Sequence, residues 1–240
     1  MRIGTRNLLA ELILGALDEP ITADVLRCLA HYCRSDTSEP VPLPIASFLA
    51  PTAMTARQRV MKILQHHELL QWQEWSGTTT IALHPLFKPE YREIAAKLAS
   101  YVTALDAWYL RCQPSVAGSA REAALRKGTL LFNHHLFFEV HEILEAQWKE
   151  ESGDVRLFLQ GLIQVAVAFH HLGNDNFRGA AALLRDGLAK IAPHRPAFLG
   201  LELQTFATGL ERCQQALQRL GPEHFRQFPL DLIPSLQFLA

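Results

Sequence analysis

The residue types best suited to chemistry are His141 and Glu145, four apart in the run FNHHLFFEVHEILEAQW, residues 132–148. On a helix an i, i+4 pair shares one face, close enough to share a proton or a cation. With His171 from a later segment they would supply three protein ligands, the number an open zinc or iron centre takes. Glu142 or Glu139 would then act as base toward a bound water. The segment reads HE-x-x-E rather than the HE-x-x-H of zinc proteases, so that motif is not met. Without a metal, Glu145 would orient and charge His141, and His141 would move a proton at a small ligand under Phe137, Phe138 and Trp148. No nucleophile accompanies them, neither a G-x-S-x-G elbow nor a phosphate loop. The remaining possibility is a satisfied polar network that fixes how helices pack.

The elements that must position these residues are helices. Ser119 and Glu122 have capping-box spacing and open a helix to about Phe132. The HE-x-x-E helix runs from about His135 to Glu151 and stops at Gly153. Asp154 caps a third, Val155–Leu172; a fourth covers Phe177–Ile191 and a fifth Leu201–Leu220. No strand signal appears in this half. At about 100° per residue, Leu136, Val140, Ile143, Leu144 and Trp148 share one arc, with His141 at its edge and Glu145 just beyond. Glu139 flanks the opposite edge, and Glu142 points into solvent. The third helix is apolar over most of its circumference, yet Gln160, Gln164 and His171 fall together on it. A polar stripe on a buried helix needs partners, and His141 and Glu145 are the expected ones. Gly161 beside the stripe would admit another backbone.

The first half reads differently. Helical patterns at Asn7–Leu17 and Ala23–Tyr32, with Thr22 as a cap, precede a Pro-rich joint, EPVPLPI, and a short helix near Ile45–Leu49. Ala56–His66 is a clearer helix. Leu69–Trp75 and Thr79–Leu83 form a hairpin around Ser76-Gly77. Helices followed by a two-stranded wing resemble a winged helix-turn-helix domain over residues 1–88. Arg57, Gln58, Arg59 and Lys62 would then face phosphates or bases, or the region would dock a protein. Glu90–Leu110 follows as a long connecting helix whose apolar stripe suits self-association, and residues 89–118 end in a turn-rich linker. The fold class is therefore mostly α: a winged-helix-like region, then a bundle of about five helices over 119–240.

The 240 residues carry a net charge of −1, with 49% hydrophobic and 20% charged. That is a globular composition with no general attraction to nucleic acid or anionic membrane. Cys28, Cys33, Cys112 and Cys213 have no zinc-like spacing and read as free thiols of a cytoplasmic protein. No stretch reads as a signal peptide or a membrane span. His66, His67, His134, His135 and His170 read as surface or packing residues.

The segments GTLLFN, FFEVHEILEAQW, FLQGLIQVAVAFHH and NFRGAAALL, in this order between Arg121 and Leu220, resemble the "domain of unknown function 309" family of bacterial and archaeal proteins. The resemblance implies a compact helical bundle with the HE-x-x-E segment at its heart, in a family with no established activity. It also implies that Asn133, Glu139, His141, Glu142, Glu145, Gln160, Gln164, His171, Asn176 and Arg178 are its recurring polar positions. Two departures stand out: His134 and His135 replace small or acidic residues, and Asp175 replaces the glycine usual before Asn176.

Overall fold

A computed structural model describes residues 1–33, 40–75, 77–111 and 118–239. The chain forms two compact units, Met1–Gln113 and Pro114–Ala240. Cys112 lies outside the described residues.

The first unit opens with α1 (Ile3–Asp18) and α2 (Pro20–Tyr32). Pro20 both separates them and starts α2, where its missing N–H costs nothing; Glu19 holds the cap position expected of Thr22. The Pro-rich joint carries an unexpected strand, β1 (Leu43–Pro44), before α3 (Ile45–Phe48) and α4 (Arg57–Leu64). The expected hairpin is β2 (Leu70–Trp75) and β3 (Thr78–Leu83), and β1 adds to its far edge through Leu43↔Ile81, giving the order β1-β3-β2. Pro44 is tolerated because edge strands leave an N–H unpaired.

A 3-10 turn, Pro85–Glu90, leads to α5 (Tyr91–Arg111). The apolar stripe expected on α5 is present and turned inward. Ile94, Leu98, Tyr101, Leu105 and Trp108 are all buried within this unit. Trp108 Nε1 donates to Leu17 O at 3.0 Å and the Tyr109 hydroxyl to Ala16 O at 2.8 Å, so the stripe closes on α1.

The second unit is a run of αα-hairpins. Its first two are α6 (Ala120–Asn133) with α7 (Phe137–Glu150), and α8 (Gly153–Gly173) with α9 (Phe177–Ile191). Ser119 Oγ accepts from Glu122 N at 3.2 Å, but the Glu122 carboxylate turns to Arg126, so half of the capping box forms. His135 lies in the joint before α7, not in the helix, and Gly153 starts α8 rather than merely stopping α7. The expectation of no strands in this half is also corrected. β4 (Ala197–Phe198), β5 (Leu201–Glu202) and β6 (Gln237–Phe238) form a small antiparallel sheet, order β4-β5-β6. Two-residue strands leave too short a pattern to show alternation. The last helix, α10 (Gln204–His224), therefore starts later than expected.

By length and composition α8 is the one described helix apolar enough to cross a membrane, with mean hydropathy 1.3, where none was expected. In this fold it packs between α7 and α9. In the core Phe132 meets Phe137, Phe169 and Phe206 edge-on, with ring centroids 5.3–6.1 Å apart.

Candidate functional site

Helix α7 carries the His–Glu pair as its wheel predicts. His141 is 30% exposed and Glu145 37%. His141 Nδ1 lies 3.0 Å from Glu142 Oε1, and Nε2 lies 3.8 Å from Glu145 Oε2. Lys149 approaches Glu145 at 3.3 Å. Glu145 stands one helical turn from both His141 and Lys149, and Glu142 is the sequence neighbour of His141; half-exposed pairs of this kind are worth roughly 0.3–0.5 kcal/mol. Glu142, 39% exposed, is no further out than Glu145. Glu139, expected to flank the opposite edge of the apolar arc, is fully buried and engaged with neighbouring groups.

The stripe on α8 is real, but it does not face His141 and Glu145. Gln164 Oε1 accepts from Lys190 Nζ of α9 at 2.9 Å. His171 Nδ1 accepts from the Asn176 amide at 3.1 Å, and Asn176 Oδ1 accepts from Gly179 N at 3.0 Å, capping α9. Gln160 is half-buried on the same helix. Between His141 and the end of α8 stands Phe138, its ring 6.2 Å from His141 and 5.7 Å from His170. The metal set His141, Glu145 and His171 is therefore not assembled, and among the described residues no three His, Cys, Asp or Glu side chains gather as a metal would need.

The reason lies in the joints. Asp175 and His135 both adopt φ 58°, the left-handed conformation that ends a helix. Each is followed by a backbone bond five residues back, Asn176 N to His171 O at 3.0 Å and Leu136 N to Leu131 O at 2.9 Å. This is the Schellman arrangement, in which the two residues so linked usually make an apolar contact. Leu131 and Leu136 have the types for it. His171 and Asn176 make a hydrogen bond in the same place. The departure at Asp175 keeps the geometry a glycine would give, because Asp tolerates this region through its short polar side chain. Burial pushes the His134 imidazole below its ordinary value, with the neighbouring His135 charge acting in the same direction.

The other expected residues have structural positions too. Phe137 stacks on His135 at 5.4 Å and meets Phe169 at a tilt, 5.3 Å away, inside the core. Trp148 lies under the Arg156 guanidinium, 3.8 Å from its ring centroid, and Arg156 also donates to the carbonyls of Trp148 and Glu151 at the end of α7. Asn133 bonds the main chain of Leu236 with both ends of its amide, Nδ2 donating to the carbonyl and Oδ1 accepting from the N–H, each at 2.8 Å. Arg178 is exposed beside a concavity of about 330 Å³ between α9 and α10, with Phe177, Arg185 and Leu217. His141 and Glu145 line neither it nor the concavities of about 360 and 540 Å³ elsewhere on this unit. Lys190 and Leu236 were not legible in the sequence because they are distant in it from the groups they serve; Arg156 is near Trp148 in sequence, but its reach back over the end of α7 leaves no periodic signal. In the first unit, Arg57 Nε donates to Thr52 O at 3.3 Å, while Gln58, Arg59 and Lys62 are exposed on α4.

Two hairpins with matched joints, carrying polar residues at helix ends, define a helical-bundle segment. Residues 125–183 match the family model described as "Domain of unknown function (DUF309)". That confirms the resemblance over α6, α7, α8 and the start of α9. The chain is also 41% identical over 61 residues to "Uncharacterized protein YpuF" of Bacillus subtilis (strain 168). The match spans 25% of this chain and 35% of that relative. No solved structure matches the chain.

Proposed function

We propose that the protein is a binding and assembly module whose polar residues set helix joints rather than catalyse a reaction. The observation that supports this is the double use of Asn176: one amide caps α9 and holds His171, the residue a metal or acid–base site would need. Gln164 with Lys190 and Asn133 with Leu236 repeat the pattern, each linking two elements of the fold. His141 and Glu145 are left half-exposed on α7, beside Glu142 and Lys149. Free, buried thiols at Cys28, Cys33 and Cys213 support a reducing, cytoplasmic setting. The test is elemental analysis of untagged protein beside the His141→Ala variant. The expected result is no stoichiometric zinc or iron in either. One bound metal per chain that disappears with His141→Ala contradicts the reading.

A second reading concerns the first unit. The order α2, β1, α3, α4, β2, β3 supports reading the unit as a winged helix-turn-helix, on which Gln58, Arg59 and Lys62, exposed on α4, would belong to the recognition helix. On this reading the unit binds duplex DNA. Gel-shift titration against salt should then show log K falling with log salt, and Lys62→Ala should reduce that slope by about one unit. No binding at low salt contradicts it.

A further inference from the structure

Helix α8 is apolar enough to cross a membrane, yet only 44% of its apolar 18-residue window is buried within the fold. Its flanks are covered. Phe138 and Trp148 of α7 meet it on one side through His170 and Arg156, and Asn176 and Lys190 of α9 on the other through His171 and Gln164. Between those two rows Arg156, Gln160, Ile163, Val167 and His170 are half-exposed. Their spacing alternates four and three, the heptad seam on which two helices pack side by side. Gln160 and Val167 fall at a, and Ile163 at d. A β-branched residue at a favours two strands, and a polar residue at a fixes their register.

The helices beside this seam carry opposite charge. Leaving the buried Glu139 aside, α7 has Glu142, Glu145 and Glu150 against Lys149, a net of −2. On α9, Arg178, Arg185 and Lys190 stand against Asp186, a net of +2. Within one chain α8 stands between the two.

A second copy answers this pattern. Both α7 and α9 run antiparallel to α8, since Phe138 meets His170 and Trp148 meets Arg156, while Gly179 lies against His171 and Lys190 against Gly161. A two-fold axis along α8 keeps helix direction and lays α7 of one copy over α9 of the other, twice, which is an isologous contact. The two joints share one geometry, so equal steps from Leu136 and Asn176 give equal heights. Glu145 then stands level with Arg185, and Glu150 with Lys190. Glu142 stands level with Ala182, whose small side chain lets a helix approach.

We propose that the outer face of α8 is the interface of a two-fold homodimer. Ile163 and Val167 pack on their own copies, and Glu145 and Glu150 pair with Arg185 and Lys190 of the partner subunit. The pairs that Arg185 makes with Asp186 and Glu145 with Lys149 are exposed ones of small worth, and they yield to this contact. Glu145, the second acid of the HE-x-x-E segment, thereby gains a partner beyond its own helix. The proposal rests on the reading of the protein as a binding and assembly module and names the partner as a second copy.

The test is sedimentation velocity of the full chain. The wild type should run as a dimer whose Kd rises with salt. Val167→Asp should give a monomer with an unchanged circular-dichroism spectrum. Glu145→Arg and Arg185→Glu should each raise the dimer Kd roughly tenfold or more, because each sets like charges opposite one another twice. Mixed in equal amounts, these two variants should dimerise with near wild-type strength, since both contacts of the mixed pair join Arg to Glu. Neither change touches the core, so the mixture decides the matter even where Val167→Asp does not fold. A monomeric wild type leaves the face to an unlike partner and overturns the proposal. A dimer that the single charge reversals or a folded Val167→Asp leave intact overturns it too, as does a mixture that stays apart. Any of these leaves the module reading standing, since that falls only to metal at His141.

Discussion

At the scale of single residues, the polar positions separate into two kinds. His171 and Asn176 are held by each other and by the cap on Gly179, whereas His141 and Glu145 stand half-exposed, 3.8 Å apart. Losing an N-cap costs about 0.5–2 kcal/mol, so Asn176→Ala should lower stability by that amount in urea unfolding. Asp175 behaves oppositely. Its left-handed φ is strained for a side chain, and the bond from Arg226 that it accepts at 2.8 Å joins two exposed groups. Asp175→Gly should therefore be neutral or stabilising by up to about 1 kcal/mol; a clear loss of stability contradicts this account of the joint. The cysteines give a chemical check. Burial pushes the Cys33 and Cys213 thiols up to about 12, and raises Cys28 as well. All three should resist iodoacetamide at pH 8 in the native protein and react on unfolding, as read by peptide mass spectrometry. Rapid native alkylation would show that these sites open.

At the scale of elements, α8 and α9 are close because glycine permits it. A Cβ at Gly187 would sit 2.8 Å from Gly161 O and 2.8 Å from Val165 Cγ2. The neighbour is backbone and does not yield, so Gly187→Ala should cost about 1–3 kcal/mol despite its better helix propensity. A neutral or stabilising result by thermal unfolding would mean the helices are not in such contact. Gly161 was legible from the sequence as a site of close approach, because a glycine beside a polar stripe on an apolar helix has few other uses. The helices of both units, the β2–β3 hairpin and the partial exposure of His141 were legible for the same kind of reason: their period is local. What faced the stripe was not. Periodicity placed Gln164 and His171 on one face of α8, but which helix covers that face depends on the joints. The His135 and Asp175 conformations that fix them leave no periodic trace. The strands β1, β4, β5 and β6 were hidden by their two-residue length, and the Asn133–Leu236 pair by its separation in sequence.

At the scale of the whole molecule, two units carry two kinds of stabilisation. The first contains a buried acid: Glu90, 8% exposed, accepts from the Thr5 hydroxyl at 2.6 Å and from Arg2. Burial alone would raise its pKa, but these bonds to the charged form outweigh it, and the carboxyl titrates below its ordinary value. A depressed folded pKa gives stability that is present above the unfolded value near 4.5 and is lost as pH falls through the folded one. Glu90→Gln should therefore flatten the acid limb of the melting temperature below about pH 4.5; an unchanged limb would exclude Glu90 as its source. The second unit is held by its joints. The most direct test compares two double variants by amide hydrogen exchange across residues 177–191. The account predicts that His171→Ala with Asn176→Ala lowers the opening free energy of α9 by about 1–3 kcal/mol, less than the sum of the single changes. It predicts that His141→Ala with Glu145→Gln shifts the same segment by less than about 0.5 kcal/mol. Unchanged exchange in the first variant and a large loss in the second would contradict it, and would return the centre of the domain to the His141–Glu145 pair.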